Sequence, residues 1–546
     1  MPLFAIVHSM KQNPVFSNKF NTLLLCLLTL LVVATSFYVR VRLSGTPLER
    51  DEGEYAYMGQ LLLKGIPPYT HAYTMKLPGV ALVYALFMSI LDQSATSIRI
   101  GLLLVNTACI GLVYLLGRRL FPRETALLAA AFYALLSLSQ SVLGIFAHAT
   151  HLVVLFSLAG ITLLERSLKK QQTPMIFMGG ICFGLAFLMK QHAAVMIPFS
   201  LAFQIWPQNK GTKKVFLRHC CIFLTGASAP YVVVALWLFN AGVFDRFWFW
   251  TVQYAREYAT GLSITDGLNE FARQFTAIVK PNLPIWLLAG AGIITLWVKK
   301  RTRDDKVFII GYLAVSFVMV SPGLYFREHY FVMILPAVAL LSAYAATSVG
   351  QIVAIWRPNS FNHLIPSLLV AVAFCYGSYY ERDYLFRLSP TEISRRINGA
   401  NPFPEAIRIA AYIKEHTSTQ DRIAILGSEP EILFYADRLS ATGHIYMYGL
   451  MEAHKYSEEM QQELISEIES SEPKYLVVVH IEASWQLRVN SLNNILDWGD
   501  SYIPLRYDEV GIVEILGEKS TRYLWGDETA GYEPTAESFV SVFRRR

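Results

Sequence analysis

Charge is what this chain has least of. Only 16% of its 546 residues are Asp, Glu, Lys or Arg, against 54% apolar, a balance that excludes a soluble globule and marks a polytopic membrane protein. A basic stripe is missing as well: the net charge of +6 comes from Lys and Arg residues in short loops between apolar runs, which excludes a nucleic-acid surface. Cysteine is scarce. All six (Cys26, Cys109, Cys182, Cys220, Cys221, Cys375) fall in apolar stretches with no CxxC and none after Cys375, so the cysteines indicate neither a zinc site nor a disulfide framework. No internal repeat and no low-complexity tract is visible, so a solenoid is excluded too.

What is present is a series of apolar runs. A spanning helix needs about 20 apolar residues, and by that measure about eleven runs qualify, near 21–39, 98–117, 125–145, 150–165, 174–189, 193–206, 219–240, 283–298, 307–321, 330–349 and 363–380. The first, Leu23 to Val39, follows Lys11 and Lys19 and precedes Arg40 and Arg42 with no small-residue cleavage pattern, which predicts an uncleaved signal anchor. Val80 to Leu91 is too short to span and is assigned to the membrane surface. With the N-terminus inside, alternate loops then carry Arg118, Arg119 and Arg123; Arg166, Lys169 and Lys170; Lys210, Lys213, Lys214 and Arg218; and Lys299, Lys300, Arg301 and Arg303. This is the positive-inside bias, and counting 80–91 as a span would invert it.

Outside then lie the long loop 41–97, the turn with His148 and His151, the Lys190-Gln191-His192 turn, an aromatic loop at about 241–282, the FREHYF turn and everything after about 381. The aromatic loop, with Phe244, Phe247, Trp248, Phe249 and Trp250, reads as an interfacial belt or surface helix. After Tyr380 the composition changes. A helix pattern at Glu405–Thr417, a strand at Arg422–Leu426, helices from about Glu429 and at Ser457–Ser470, a strand at Tyr475–His480 and a last strand near Gly511–Leu516 predict an α/β domain. The expected organisation is a cytoplasmic N-terminus (1–20), a transmembrane catalytic part (21–380) and an extracytoplasmic α/β domain (381–546).

The candidate chemistry begins at RDEGEYAY, Arg50–Tyr57, just past the first span. Asp51 and Glu52 either cap the helix that follows or divide the work, one capping while the other faces a cavity. Lys76 in MKLPG, Lys190, His192, Arg327 and His329 stand at other membrane boundaries, where each either snorkels to headgroups or holds a ligand. An acid that accepts a proton from a hydroxyl, beside cations that hold a phosphate, suits displacement of a phosphate-linked leaving group at a sugar carbon.

The first-loop DE motif, the KLPG segment, the GRRLF loop at 117–121 and the HYF turn leading into LPAVALL resemble the polyprenyl-phosphate-dependent glycosyltransferases of the GT-C fold, in the protein O-mannosyltransferase and aminoarabinose transferase superfamily. The resemblance covers about residues 20–350. It implies an inner-membrane (plasma-membrane) enzyme that takes sugar from a lipid-phosphate carrier and passes it to a lipid, glycan or protein acceptor. It also implies Asp51 as the catalytic acid supported by Glu52, with Lys76 and Arg327 holding the carrier phosphate beside His329, Lys190 and His192. Tyr55, His148 and His151 are candidate substrate contacts. Where many relatives carry a second acid this sequence reads FAHATH, so a divalent metal is not favoured: His148 and His151 are two ligands, too few to infer a site. In GSEPEILFY, Ser428 and Glu431 have capping-box spacing, and strand–Gly–helix is also a helix start of the anion-binding kind. A transporter or flippase is the competing class, opposed by charges gathered at one face and by the missing repeat. A receptor or assembly protein leaves the charged turns unexplained.

Overall fold

The computed structural model describes residues 19–170, 172–205, 213–259, 262–298, 303–356 and 362–546. Lys11, Lys210, Lys299, Lys300 and Arg301 of the orientation argument lie outside the described residues. Among the described residues six helices are long and apolar enough to cross a membrane: Thr22–Arg42, Ala95–Leu120, Ala149–Ser167, Lys213–Asn240, Ile264–Trp297 and Leu335–Ile355. The protein is a multi-pass membrane protein.

The expected count of about eleven is not confirmed, and several of the expected runs form shorter or broken helices for local reasons. The run at 125–145 forms only the helix Arg123–Leu136, after which the chain turns through Leu143 in the left-handed region. Arg40 accounts for the break: its guanidinium donates to the carbonyls of Ser137 (2.8 Å) and Gly144 (2.6 Å), satisfying backbone that a continuous helix would have bonded internally. The run at 193–206 is divided among a 3-10 turn, a short α-helix and a π turn across Gln191–Ile205. Thr173–Met189 and Ile365–Tyr380 are apolar but short, as is Gly79–Ile90, the stretch read as a surface segment.

The described chain divides into two compact units. The first comprises the segment up to Val41, Leu102–Val233 and Leu262–Arg387. Its helices approach closely at small residues: a Cβ on Gly180 or Gly184 would meet backbone carbonyls of the Lys213–Asn240 helix, and one on Gly292 the carbonyl of Leu341.

The second unit comprises Arg42–Gly101, Val234–Gly261 and Leu388–Arg546. Its centre is a six-stranded sheet of β1 (Arg422–Leu426), β2 (Leu439–Ser440), β3 (Tyr475–His480), β4 (Tyr507–Ile515), β5 (Thr521–Trp525) and β6 (Phe539–Arg545), in the order β2-β1-β3-β6-β4-β5. β2, β1 and β3 run parallel, and β6, β4 and β5 continue the sheet antiparallel. The apolar runs of β1 and β3 are those of strands covered on both faces. Gly511–Leu516 is therefore not the last strand. β6 enters the middle of the sheet, and its buried alternation, Val540 and Val542, is too brief beside Arg544 and Arg545 to stand out in the sequence.

Two other expectations change. Ser428 does not cap the helix Pro430–Ala436: its hydroxyl donates to Ser484 O (2.6 Å), and no side chain caps that helix. With seven residues the helix is also too short to be an anion site of its own. The aromatic loop divides. Trp250 and Tyr254 pack into the core with Tyr73, Met447 and Leu450, while Trp248 stays exposed.

Candidate active site

The helix Arg50–Leu63 owes its start to Glu49. The Glu49 carboxylate accepts from the backbone N–H of Asp51 (3.0 Å) and Glu52 (2.9 Å), and Glu52 returns the bond to Glu49 N, closing a capping box. Glu52 is wholly buried and ion-paired to the buried Arg99, which also reaches the carbonyls of Thr46 and Pro47. Capping and burial thus occupy the carboxylates of Glu49 and Glu52, and the Asp51 carboxylate stands outside the cap.

Asp51 is partly exposed, its side chain at 24%. Its Oδ1 accepts from Lys76 Nζ and from Tyr446 Oη, each at 2.8 Å. Lys76 lies in a bend just before Pro78, the N-cap residue of the helix Gly79–Ile90. The same ammonium donates to Glu54 Oε2 at 2.5 Å and lies over the rings of Tyr55 (4.6 Å) and Tyr446 (5.4 Å). Burial works against its charge, but Asp51 and Glu54 outweigh burial and raise the Lys76 pKa well above its ordinary value. Burial likewise pushes the Glu54 carboxyl up, opposed by Lys76. Lys76 is therefore held between two carboxylates, and Tyr55 forms one wall of its cage.

Glu54 was available to sequence reasoning, since residues three apart share a helix face with Asp51. Tyr446 was not, being 395 residues away. Arg50, read only as the first letter of the motif, is an anchor. It donates to Ser428 O (2.6 Å), Glu429 Oε1 (2.7 Å), Tyr448 Oη (2.5 Å) and Asn401 Oδ1 (2.8 Å), and stacks between Phe403 and Tyr448. Gly53 completes the dock: a Cβ there would fall 2.6 Å from Glu431 N, so only glycine lets this helix lie against Pro430–Ala436. Tyr57 accepts from Ser440 N, and Tyr435 accepts from Leu48 N, on either side of the same contact. The DE motif is thus fastened to the parallel half of the sheet.

In the first unit the remaining candidates gather around the FREHYF turn. Gly323, Leu324 and Phe326 all take positive φ, a tight approach to the 3-10 turn Glu328–Met333 for which Arg327 is the N-cap residue. Tyr330 is the hub: Lys190 Nζ lies 4.4 Å from its ring centroid, and His192 and His329 meet it edge-on, each at 4.8 Å. His192 Nδ1 contacts Met319 O at 2.8 Å. His148 stacks flat on His329, with centroids 4.1 Å apart. His151 is buried in the following helix, and its ring nitrogens have no hydrogen-bond partner among the described residues. Arg327 lies over Tyr325, with Glu270 near enough to feel its charge. The paired imidazoles of His148 and His329 are suited to donating to an anion or ligating a metal.

These features bear comparison with known proteins. Residues 71–237 match the family of dolichyl-phosphate-mannose-protein mannosyltransferases. The fold matches ArnT from Cupriavidus metallidurans bound to undecaprenyl phosphate, at a TM-score of 0.56 and 14% identity, over 95% of this chain and 97% of that one. The chain has the GT-C fold. The archaeal oligosaccharyltransferase AglB from Archaeoglobus fulgidus, solved with an inhibitory peptide and a dolichol-phosphate, matches at a TM-score of 0.54 and 14% identity, over 97% of this chain and 76% of that one. Among curated proteins compared by sequence, none matches.

Proposed function

We propose that this GT-C protein is an integral-membrane glycosyltransferase. It moves a sugar from a polyprenyl-phosphate carrier to a hydroxyl acceptor at the extracytoplasmic face of the plasma membrane, with Asp51 as base, its N-terminus cytoplasmic and residues 381–546 outside. The observation that carries this reading is the division of labour at the helix start: of the carboxylates of Glu49, Asp51, Glu52 and Glu54, that of Asp51 alone is neither part of the cap nor buried. Lys76 and Tyr446 fix one of its oxygens, as a positioned base requires.

The reaction needs the acceptor O–H proton to go to Asp51, the acceptor oxygen to bond the sugar's anomeric carbon, and the bond from that carbon to the carrier phosphate to break. The departing phosphate gains charge, which cations stabilise better than a proton donor would. We assign that role to Arg327, Lys190 and His329, and treat Lys76 as the counter-ion of Asp51 and Glu54. The dolichol-phosphate of AglB and the undecaprenyl phosphate of ArnT support a carrier with a long isoprenoid chain on a phosphate. Purified protein supplied with a radiolabelled polyprenyl-phosphate sugar should release free carrier phosphate and label an acceptor fraction. A transporter or flippase would leave the sugar–phosphate bond intact, and that result would refute the proposal.

A further inference from the structure

Within the C-terminal segment, the helices Pro390–Asn398 and Phe403–Glu415 and the turn between β4 and β5 enclose a cleft of about 470 Å³. This lies within the usual size of small-molecule sites. Glu405 lines it and is only 2% exposed. Its Oε1 accepts from Arg395 (2.5 Å) and from the Thr521 hydroxyl (2.6 Å), whereas Oε2 has no hydrogen-bond partner among the described residues. Arg395 is not free to swing across, because it also donates to the carbonyls of Gly399 and Asn401, each at 3.0 Å. A buried carboxylate oxygen left without a donor is costly, and the cleft it lines invites a ligand that supplies one.

The surroundings select the ligand's chemistry. Glu392 and Glu518 stand in the same cleft and repel an anion. A metal cation is disfavoured because Arg395 already neutralises Glu405 and Lys519 faces Glu392 at 3.8 Å. What fits is a neutral molecule whose groups both donate and accept: hydroxyls that donate a hydrogen bond to Glu405 Oε2 and accept from Lys519 or Thr391. Tyr523, held by Arg408 at 3.7 Å from its ring centroid, adds an aromatic surface to the lining. We infer that this cleft binds a neutral saccharide of one or two rings. Its binding does not rest on the transfer reaction proposed above.

The test uses the full chain in a detergent without a sugar headgroup and without lipid donor, so its failure and that of the transfer reaction are separable. Saturation-transfer NMR with mannobiose and diacetylchitobiose, each at millimolar concentration, reads contact with the protein. At least one sugar should receive saturation, and Ser520→Trp, which adds bulk on an exposed turn at the cleft, should cut that signal at least threefold with the melting temperature unchanged. Ser520→Ala should retain it, guarding against a general effect of changing the turn. No transfer to either sugar, or a fall of less than threefold in Ser520→Trp, overturns the proposal. So does terbium luminescence showing that the cleft takes a cation in place of the sugars.

Discussion

Lys76 and Lys190 occupy different settings. Lys76, in the unit that contains the sheet, is set between Asp51 and Glu54, and its charge is balanced by formal charges within 3 Å. Lys190, in the unit of long helices, rests on the face of Tyr330 in a neighbourhood of histidines. A ring face attracts a cation without cancelling its charge. On the function proposed above, the first lysine organises an acid and the second serves the carrier phosphate.

The first way to break this comparison is at the dock. Gly53→Leu should nearly abolish transfer and lower the melting temperature, because its side chain would collide with the backbone at Glu431. Intact activity in correctly inserted Gly53→Leu would mean that docking does not position Asp51. Next in size is Arg327. Arg327→Ala should lower turnover at saturating donor by about 10²-fold or more, as expected when a group stabilising the transition state is lost, and Arg327→Lys should fall between it and wild type. An alanine variant with altered Michaelis constant and normal turnover would reduce Arg327 to a ground-state contact.

Glu52→Gln separates support from chemistry. It leaves the buried Arg99 without its carboxylate, at a cost of about 3–5 kcal/mol in stability. The fraction that folds should retain turnover within about tenfold of wild type, read as activity per folded molecule.

The smallest effect concerns Glu514, a carboxylate built only for structure. Burial opposes its ionisation, but donors from Tyr532, Thr535 and Ala536 overcome this and bring its pKa down to about 2. Since the folded value is depressed, its stabilisation is present above the ordinary carboxylate pKa of about 4.5 and is lost as the pH falls towards 2. Glu514→Gln should cost about 1–3 kcal/mol at pH 7 and little near pH 2, with transfer unaffected. Equal melting temperatures at pH 7 would show that this hydrogen-bonded cluster contributes nothing net.

The sequence discloses what is local. Most long helices follow apolar runs, the acids of the first loop mark the candidate site, and β1 and β3 are visible as short buried runs. It conceals what depends on distant partners. Nothing near Asp51 points to Tyr446, and nothing near Arg50 points to Glu429 or Asn401, because those contacts exist only once the first loop meets the sheet. Arg40 shows the same limit, since an apolar run at 125–145 gives no hint that an arginine from the first span will take its carbonyls. Topology is open to direct mapping: in a cysteine-free background, Val489→Cys should react with an impermeant thiol reagent from outside intact cells, and Gln172→Cys should not. The reverse pattern would invert the orientation.

The central claim, that Asp51 is the base, is tested most directly by single-turnover transfer in Asp51→Asn. Asparagine keeps the shape and an acceptor for Lys76 and Tyr446 but cannot take up the acceptor's proton. The account predicts a loss of about 10²–10⁴-fold in rate with insertion, melting temperature and donor binding preserved. A rate within a few-fold of wild type would contradict it.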